Sequence, residues 1–581
     1  MEVSIMDNRR WWLRCAAAFA SQLAILAILI ATGRLVYATN DDTTMIAIAS
    51  GGYGAPSQYV VFMHMILGYL LKFLFTICNG VNWVTVVFLF SDMLSVLVLD
   101  MVFASVKREK MGFVCTVIVL DVALLMVLAY FSFTVVAYWA GIAGLIGMTY
   151  AFMENVDHGH RLLTGICAGI AFVFCMMIRA EAVLSLVIVY ASYIFVSLIF
   201  KRNWKPLVIA LAAVCCMLVF KESNAWMNDL NPVQRDYMAW NKLRSEVADF
   251  PAVPYEEEIL SERGVSHDLY TAIYGFFFYS NGAADTELLE TMVELNPLQN
   301  RYDFDVMGML DEHFSLWRSG EACIRFLGLY RIIFASVLLF YAVLGRRDHL
   351  FLFLTWGSAL AAECVFHFIN RAPYRVVMPN YLFAVVLLML CCGIDARKKE
   401  KLYSLGISVQ RITAALTAAL LCFSVYAYML HGDYLPWLYA DTQRAVLDYM
   451  AENDDKVFLA GSGGVGGVEV SESIWSHPGK RGILNLIGGW TTYSVPYFEL
   501  MERQGVQDPY NVLYEAIDND RILFLTYMGG DYPKYVPWIL GLIEEDYQIK
   551  AEFKKVEDIS TTDTGTGYLT YSVYQLVTQT D

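Results

Sequence analysis

Eleven apolar runs, each long enough to cross a lipid bilayer, occupy the first three quarters of this 581-residue chain. A transmembrane helix needs about 20 mostly apolar residues. The chain is 57% hydrophobic and 17% charged, against about 25% charged residues in an ordinary soluble domain. The runs predict a mainly α fold, a polytopic helical membrane bundle of about 11 spans. The predicted spans are Leu13–Thr32, Trp83–Val106, Met111–Tyr130, Thr134–Phe152, Leu162–Ile178, Val183–Phe200, Leu207–Phe220, Leu327–Leu344, Leu350–Phe368, Val376–Ile394 and Ile412–Leu430.

Basic residues between the runs predict the orientation, because Lys and Arg collect in cytoplasmic loops. A twelfth apolar run, Tyr59–Ile77, would place the basic group 107–110 outside if it were counted as a span. It also carries His64 and Lys72, which are typical of a helix lying at the membrane interface. With this run at the outer surface, we expect a multi-pass cell-membrane protein with a cytoplasmic N-terminus and an external C-terminus.

The remaining segments predict how the chain is divided. Residues 1–430 form the membrane domain, with an external loop at 34–82 that holds the interfacial helix and a large external loop at 221–321. Residues 431–581 are expected to form a soluble extracytoplasmic α/β domain. Its predicted elements are a helix at Ala445–Ala451 and strands at Lys456–Ala460, Arg521–Thr526 and Tyr568–Val577. This tail has 10 Lys and Arg against 23 Asp and Glu, which argues against nucleic acid as a partner.

Two adjacent acids, Asp41 and Asp42, follow the first span by a few residues. Carboxylates next to a bilayer can serve a catalytic site. They can equally be solvated loop charges, or they can cap a helix that starts near Thr43. The residues alone leave these alternatives open.

The order of features resembles the GT-C superfamily of membrane glycosyltransferases: a cytoplasmic start, one span, an external loop that opens with acids, an interfacial helix and about ten further spans. The resemblance covers about residues 1–430. It is carried by the segments NDDTTM at 40–45, GAP at 54–56 and GYL at 68–70. Members with a C-terminal extracytoplasmic α/β domain are common.

The resemblance implies transfer of a sugar from a polyprenyl-phosphate donor. The acceptor hydroxyl must lose its proton to a carboxylate, so Asp41 or Asp42 is the expected general base. Several members have a second acid in the first loop, but none lies between Thr43 and Asn82. Glu181 or Glu363 would have to supply it.

Phosphate binding is expected at the segment NRAPYR, residues 370–375, which resembles the arginine-bearing turn of the superfamily. Arg371 and Arg375 suit phosphate because a guanidinium stays charged and presents paired donors. Glu363, His367 and Arg371 recur every four residues, which predicts one shared helix face and a cavity or pathway. The alternative is that the arginines reach lipid headgroups while Glu363 and His367 pair within the bundle.

A second possible phosphate contact is Arg179, close to Glu181 at the end of the fifth span, although a structural salt bridge explains this pair equally well. His64 is a further supporting residue. The segment GSGGVG at 461–466 matches a dinucleotide-binding pattern, but residues 468–471 do not resemble a helix start, and the tail is predicted to be extracytoplasmic, where nucleotide cofactors are scarce. A flexible glycine loop is the preferred interpretation there, and His477 is expected to be a surface histidine.

These features predict a glycosyltransferase that moves a sugar from a polyprenyl-phosphate donor to a cell-envelope glycan, lipid or protein acceptor. Membrane lipids would surround it, no cofactor is required by the pattern, and a divalent metal is possible. The alternatives are an envelope-lipid transporter or flippase, and a non-catalytic membrane scaffold. No inverted repeat of the kind found in transporters is evident in the sequence.

Overall fold

The computed structural model describes most of the chain. The described residues are 8–107, 110–153, 158–250, 255–295, 346–369, 371–391, 440–460, 473–477, 488–527, 532–560 and 570–579. The structure is 72% helical, with a small region of sheet.

Nine helices in these ranges are long and apolar enough to cross a membrane. They are α1 (Asn8–Ala31), α4 (Trp83–Val106), α5 (Lys110–Ala129), α6 (Phe133–Ala151), α7 (His158–Arg179), α8 (Ala182–Lys201), α9 (Lys205–Asp229), α15 (Arg346–Phe368) and α16 (Tyr374–Cys391). Each coincides with a predicted span, so the helical-bundle prediction holds at this level. The predicted spans Leu327–Leu344 and Ile412–Leu430 lie outside the described residues.

Side-chain caps explain where several helices begin, because the first backbone N–H groups of a helix lack partners within it. Asn82 accepts a hydrogen bond from the backbone of Thr85 at the start of α4. Ser132 accepts one from the backbone of Val135 at the start of α6. At α10 (Pro232–Ala248), Asn231 is the cap and a proline occupies the first position, where its missing N–H costs nothing.

Residues 34–82, predicted to be the first external segment, contain two short helices, α2 (Asn40–Ser50) and α3 (Met65–Ile77). Within the predicted run Tyr59–Ile77, the helix begins only at Met65. Thirteen residues of α-helix extend about 20 Å, too short for a hydrocarbon core of about 30 Å. Gly68 lets α3 pack directly on the backbone of Gln58, where an added Cβ would lie 2.1 Å from the carbonyl oxygen.

Residues 221–321, predicted to be the second external segment, form mostly helices in their described part. α9 continues to Asp229, beyond its predicted end at Phe220, and α10 follows almost at once. Four shorter helices come next: α11 (Glu257–Glu262), α12 (His267–Tyr274), α13 (Asn281–Ala284) and α14 (Thr286–Leu295).

The C-terminal segment folds around a four-stranded sheet with the order β1-β2-β4-β3. β1 and β2 are parallel and the other two pairs are antiparallel. The predicted helix and three strands are present with small shifts, whereas β3 and the last three helices were not predicted. The elements are α17 (Ala440–Glu452), β1 (Val457–Ala460), α18 (Val495–Gln504), α19 (Val512–Glu515), β2 (Ile522–Tyr527), α20 (Tyr532–Tyr547), β3 (Ala551–Ser560) and β4 (Thr570–Thr578).

The predicted second external segment packs against this C-terminal body. Phe277 stacks on Phe524 of β2 at a centroid distance of 6.5 Å and meets Trp538 edge-on at 5.2 Å. The hydroxyl of Tyr493 donates to the carbonyl of Phe278 at 2.6 Å. Large aromatic surfaces are therefore buried between segments that the sequence places in separate units.

The C-terminal body also contacts the helical bundle. Asn82 donates to the carbonyls of Ile474 and Ser476 at 3.0 and 3.1 Å. His477 lies edge-on to Phe75 of α3 at 5.4 Å and is buried. The expectation of a surface histidine was wrong, because this contact between the two parts of the chain covers its ring.

Candidate functional site

Asp41 and Asp42 lie in the first turn of α2, which begins at Asn40 with Thr39 as its cap residue. Carboxylates in the first turn interact favourably with the positive end of the helix dipole. The apolar residues that follow, Met45 to Ala49, are buried, so packing holds the helix in place. Both acids are therefore part of an ordered helix start.

Asp42 is 0% exposed, and both of its carboxylate oxygens accept hydrogen bonds. Oδ1 accepts from the backbone N–H of Phe133 at 2.7 Å, and Oδ2 accepts from the hydroxyl of Thr39 at 2.5 Å. Burial raises the pKa of Asp42 to about 7, although these two hydrogen bonds act in the opposite direction. The interpretation of Asp42 as a solvated loop charge is wrong, because α2 and the start of α6 enclose it.

The chain before α2 explains this placement. Tyr37 forms a parallel bridge with Phe131, and the N–H of Ala38 donates to the carbonyl of Phe131 at 2.9 Å. This short pairing aligns the start of α2 with the start of α6. Asp42 consequently lies next to the backbone N–H of Phe133, the first α6 residue, which has no hydrogen-bond acceptor within its own helix.

Asp41 faces a cation. Its Oδ2 lies 3.3 Å from Nη2 of Arg375, and the two side chains are 16% and 22% exposed. The described structure thus brings the predicted acid and one of the predicted phosphate-binding arginines into direct contact. Asp41 retains some access to solvent, whereas its neighbour Asp42 has none.

Arg375 occupies the first turn of α16, and Pro379 lies inside that helix. A proline has no N–H, so the carbonyl of Arg375 lacks the usual partner four residues on. The side chain of Asn380 donates to the carbonyl of Val376 at 2.7 Å. The irregular start of α16 therefore coincides with the residue that contacts Asp41.

Arg179, at the last position of α7, approaches the same region. Its Nη1 donates to the hydroxyl of Thr134 at 2.6 Å, and its guanidinium lies 5.2 Å from the ring centroid of Phe133. It is close enough to Arg371 and Arg375 to interact with both electrostatically. Arg179 is thus electrostatically coupled to both arginines around the start of α16, and one of these, Arg375, contacts the acidic helix start directly.

Arg371 lies in the turn before α16 and pairs with an acid that the sequence did not indicate. Its Nη2 donates to Oδ2 of Asp249 at 3.0 Å, and its guanidinium lies 5.7 Å from the ring centroid of Phe250. The side chain is 43% exposed. Asp249 is the cap residue directly after α10, so this ion pair joins the predicted second external segment to the arginine turn.

Glu363 and His367 pair within the helical bundle. Glu363 is buried, accepts a hydrogen bond from the hydroxyl of Tyr381, and lies 3.8 Å from Nε2 of His367. α15 ends at Phe368, and the N–H of Arg371 bonds to the carbonyl of Phe366. Arg371 therefore does not continue the helix face of the other two, as the spacing predicted, because the chain turns before reaching it.

The other two supporting residues have different surroundings. Glu181 is the exposed cap residue of α8 and interacts electrostatically with Arg179. His64 begins α3: its Nδ1 accepts from the N–H of Ile66 at 3.1 Å, and its Nε2 lies 3.0 Å from the hydroxyl of Ser223 on α9. These contacts tie α3 to α9, and none of the described contacts of His64 reaches Asp41 or Asp42.

Three further acids lie inside the spans. Asp100 of α4 accepts from the amide of Gln22 at 3.1 Å, and Asp121 of α5 accepts from the hydroxyl of Ser21 at 3.2 Å. Asp92 of α4 is also fully buried. These bonds connect α1 to α4 and α5 and involve neutral partners.

Asp42 is fully buried and accepts a hydrogen bond at each oxygen, so Asp41 is the more accessible carboxylate of the pair. Within the described ranges, no group of three or more His, Cys, Asp or Glu side chains is arranged to hold a metal ion. The glycine-rich segment 461–466 lies outside the described residues.

Sequence reasoning missed Asp249, Arg244 and the start of α6. Asp249 and Arg244 lie in an acid-rich segment where no sequence pattern distinguishes them. Phe133 contributes a backbone N–H, which has no sequence signature beyond the serine cap before it. All three become visible only through contacts with residues distant in the chain.

No family model matches this chain, and comparisons with curated proteins and with solved structures find no match either. A function for the chain therefore rests on the geometry of its own residues and on the architectural resemblance.

Proposed function

We propose that this chain is a membrane glycosyltransferase of GT-C type. It would move a sugar from a polyprenyl-phosphate donor to a cell-envelope glycan, lipid or protein acceptor. The observation that supports this most is the contact between Asp41 and Arg375, with Arg179 and Arg371 close by. A carboxylate in contact with a guanidinium at the ends of apolar helices supports the proposal, because such a pair offers a proton acceptor and a phosphate-binding group to a lipid-linked substrate from the bilayer.

In this proposal Asp41 is the general base. The acceptor hydroxyl attacks the anomeric carbon, the bond from that carbon to the phosphate oxygen breaks, and the proton passes to Asp41. The departing polyprenyl phosphate carries the negative charge, which Arg375 and Arg371 stabilise through N–H donors. Asp42 is less suited to this step because it is buried and both oxygens are engaged. Asp42 would instead hold the start of α2 in position.

The proposed orientation places this site at the outer membrane face, with the N-terminus in the cytoplasm and residue 431 onward outside. Single cysteines introduced near residues 108 and 431 test this with an impermeant thiol reagent in intact cells. We expect labelling near 431 and none near 108. Labelling near 108 would contradict the assignment of α3 as an interfacial helix.

The activity is tested with the purified full-length protein in nanodiscs. It would be given polyprenyl-phosphate sugars, and lipid consumption would be followed by mass spectrometry. Envelope glycans from cells with and without the protein identify the acceptor. We expect a sugar to be missing from one envelope component in the absence of the protein. Movement of intact lipid across the bilayer without breakage of the sugar–phosphate bond would favour the transporter, and neither activity would favour a scaffold.

A further inference from the structure

Asp249 joins two arginines from different parts of the chain. Its Oδ1 accepts from Nη1 of Arg244 at 2.7 Å, and its Oδ2 accepts from Nη2 of Arg371 at 3.0 Å. Each oxygen therefore has its own charged donor, and such charge-assisted bonds are the stronger kind. The carboxylate links α10 of the second external segment to the arginine turn.

Arg244 fixes the position of Asp249. Its side chain is 3% exposed, its Nε donates to Asn241 at 2.9 Å, and its guanidinium lies 5.7 Å from the ring centroid of Phe276. Asn241 and Arg244 are both on α10, one turn apart. The position of Asp249 is therefore set by a packed helix rather than by a mobile loop.

Arg371, in contrast, is partly exposed and has several N–H groups to offer. A guanidinium carries five N–H donors, and the bond to Asp249 uses one of them. The ring of Phe250 supports one face of the group. Arg371 is therefore held by one N–H group and can offer other N–H groups to an incoming phosphate. Because its rotamer is already restricted, less conformational entropy is lost on binding.

The charge of Asp249 has a second effect. Arg179, Arg371 and Arg375 are close enough to repel one another. Asp41 offsets the charge of Arg375, and Asp249 offsets that of Arg371. Without Asp249, the repulsion would favour rotation of Arg371 away from the other two arginines.

We infer that Asp249 is a positioning residue, which holds Arg371 in the orientation that binds the phosphate of the lipid donor. This inference rests on the proposed function. It assigns to the second external segment a direct part in donor binding, exerted through Arg371. A salt bridge that only stabilises the fold would leave donor affinity unchanged in a folded variant.

The test is a double-mutant cycle on donor binding. Full-length protein in nanodiscs is titrated with a polyprenyl monophosphate, for wild type, Asp249→Asn, Arg371→Ala and the double variant. We expect Arg371→Ala to weaken binding roughly 10- to 150-fold, the loss of one charge-assisted contact. Asp249→Asn should weaken it about tenfold alone and have no further effect in the Arg371→Ala background.

Asp236→Asn is the matched control, because Asp236 lies on the same helix and pairs with Arg235 at the exposed surface. It should bind the lipid as wild type does. Melting temperatures establish that each variant is folded. If Asp249→Asn does not fold, Asp249→Glu, which keeps the charge but shifts it by one methylene, goes through the same cycle.

The outcomes separate this inference from the function on which it rests. Suppose that the wild-type protein binds the lipid. If Asp249→Asn then lowers donor affinity equally in the wild-type and Arg371→Ala backgrounds, or lowers it in neither, the positioning role alone is overturned. Failure of the wild-type protein to bind any polyprenyl phosphate overturns the proposed function and the inference together. In turnover assays, we expect Asp249→Asn to raise the KM for donor and to leave the KM for acceptor unchanged.

Discussion

The acids at the start of α2 and the acids inside α4 and α5 differ in what faces them. At the start of α2, Asp41 contacts the guanidinium of Arg375, and Asp42 accepts a hydrogen bond from the backbone N–H of Phe133. Inside α4 and α5, Asp100 and Asp121 accept hydrogen bonds from the neutral side chains of glutamine and serine. In the first region, a carboxylate and a guanidinium are in contact and partly exposed to solvent. In the second region, acids with neutral hydrogen-bond partners are enclosed by apolar helices.

This difference shows why an acid in a membrane protein is weak evidence of catalysis when it is considered alone. An ionisable group inside a bundle is costly and takes polar partners from neighbouring helices, as Asp100 and Asp121 do with Gln22 and Ser21. An acid beside a cation and near the surface can accept a proton and can meet a charged substrate. The predictions below test whether function belongs to the first region only.

The largest effect is expected from Asp41→Asn. The amide keeps the size of the side chain and can still accept from Arg375, but it does not take up a proton from an acceptor hydroxyl. Turnover should fall roughly 10²- to 10⁴-fold while the donor still binds. Single-turnover assays with purified protein measure the first quantity and lipid titration the second. Normal turnover in this variant would remove the catalytic role of the acidic helix start.

The next effect concerns the arginines. Arg371→Ala and Arg375→Ala should each weaken donor binding by about 1.5–3 kcal/mol, because each loses a charge-assisted phosphate contact. Arg347→Ala is the control, since its position at the opposite end of α15 from the arginine turn places it on the predicted cytoplasmic side. Equal donor affinity in all three variants would contradict the assigned phosphate site.

A smaller effect, with a pH signature, is expected from Asp42→Asn. Burial raises the pKa of Asp42 to about 7 in the folded chain, from about 3.9 in an unfolded one. The folded state therefore binds the proton of Asp42 more tightly than the unfolded state does. This proton stabilises the folded state most below about pH 4. That contribution declines as the pH rises through 7.

The Asp42→Asn variant should lack this dependence of stability on pH. Between pH 5 and pH 8, its melting temperature should therefore rise relative to that of the wild-type protein. Its turnover should fall less than that of Asp41→Asn. We expect it to fold, since an amide can still accept from Phe133 and contact Thr39. The same change in melting temperature with pH in both proteins would show that Asp42 does not titrate in this range.

The smallest effect is expected from Asp100→Asn in the second region. An amide can keep a hydrogen bond to Gln22, and no described contact links Asp100 to the arginines around Asp41. Turnover should stay within about twofold of wild type, and the change in stability should be about 1 kcal/mol or less. A loss as large as that of Asp41→Asn would mean that the two regions are not functionally distinct.

Local features of the sequence predicted much of the fold. The span Trp83–Val106 agrees at both ends with α4, because its length is set by an apolar run and its start by the capping side chain of Asn82. The three predicted strands of the tail are present for the same local reasons. β3 was missed because the charged, exposed residues in its middle, such as Lys554 and Lys555, interrupt the alternation of apolar and polar residues that marks a strand.

The candidate site was only half accessible to such reasoning. The residue types, a pair of acids and a turn with two arginines, were evident in the sequence. That Asp41 rather than Asp42 meets Arg375, and that Arg371 pairs with Asp249, was decided by tertiary structure. Helix formation and capping depend on neighbours a few residues away, whereas burial and ion pairing depend on which distant segments pack together.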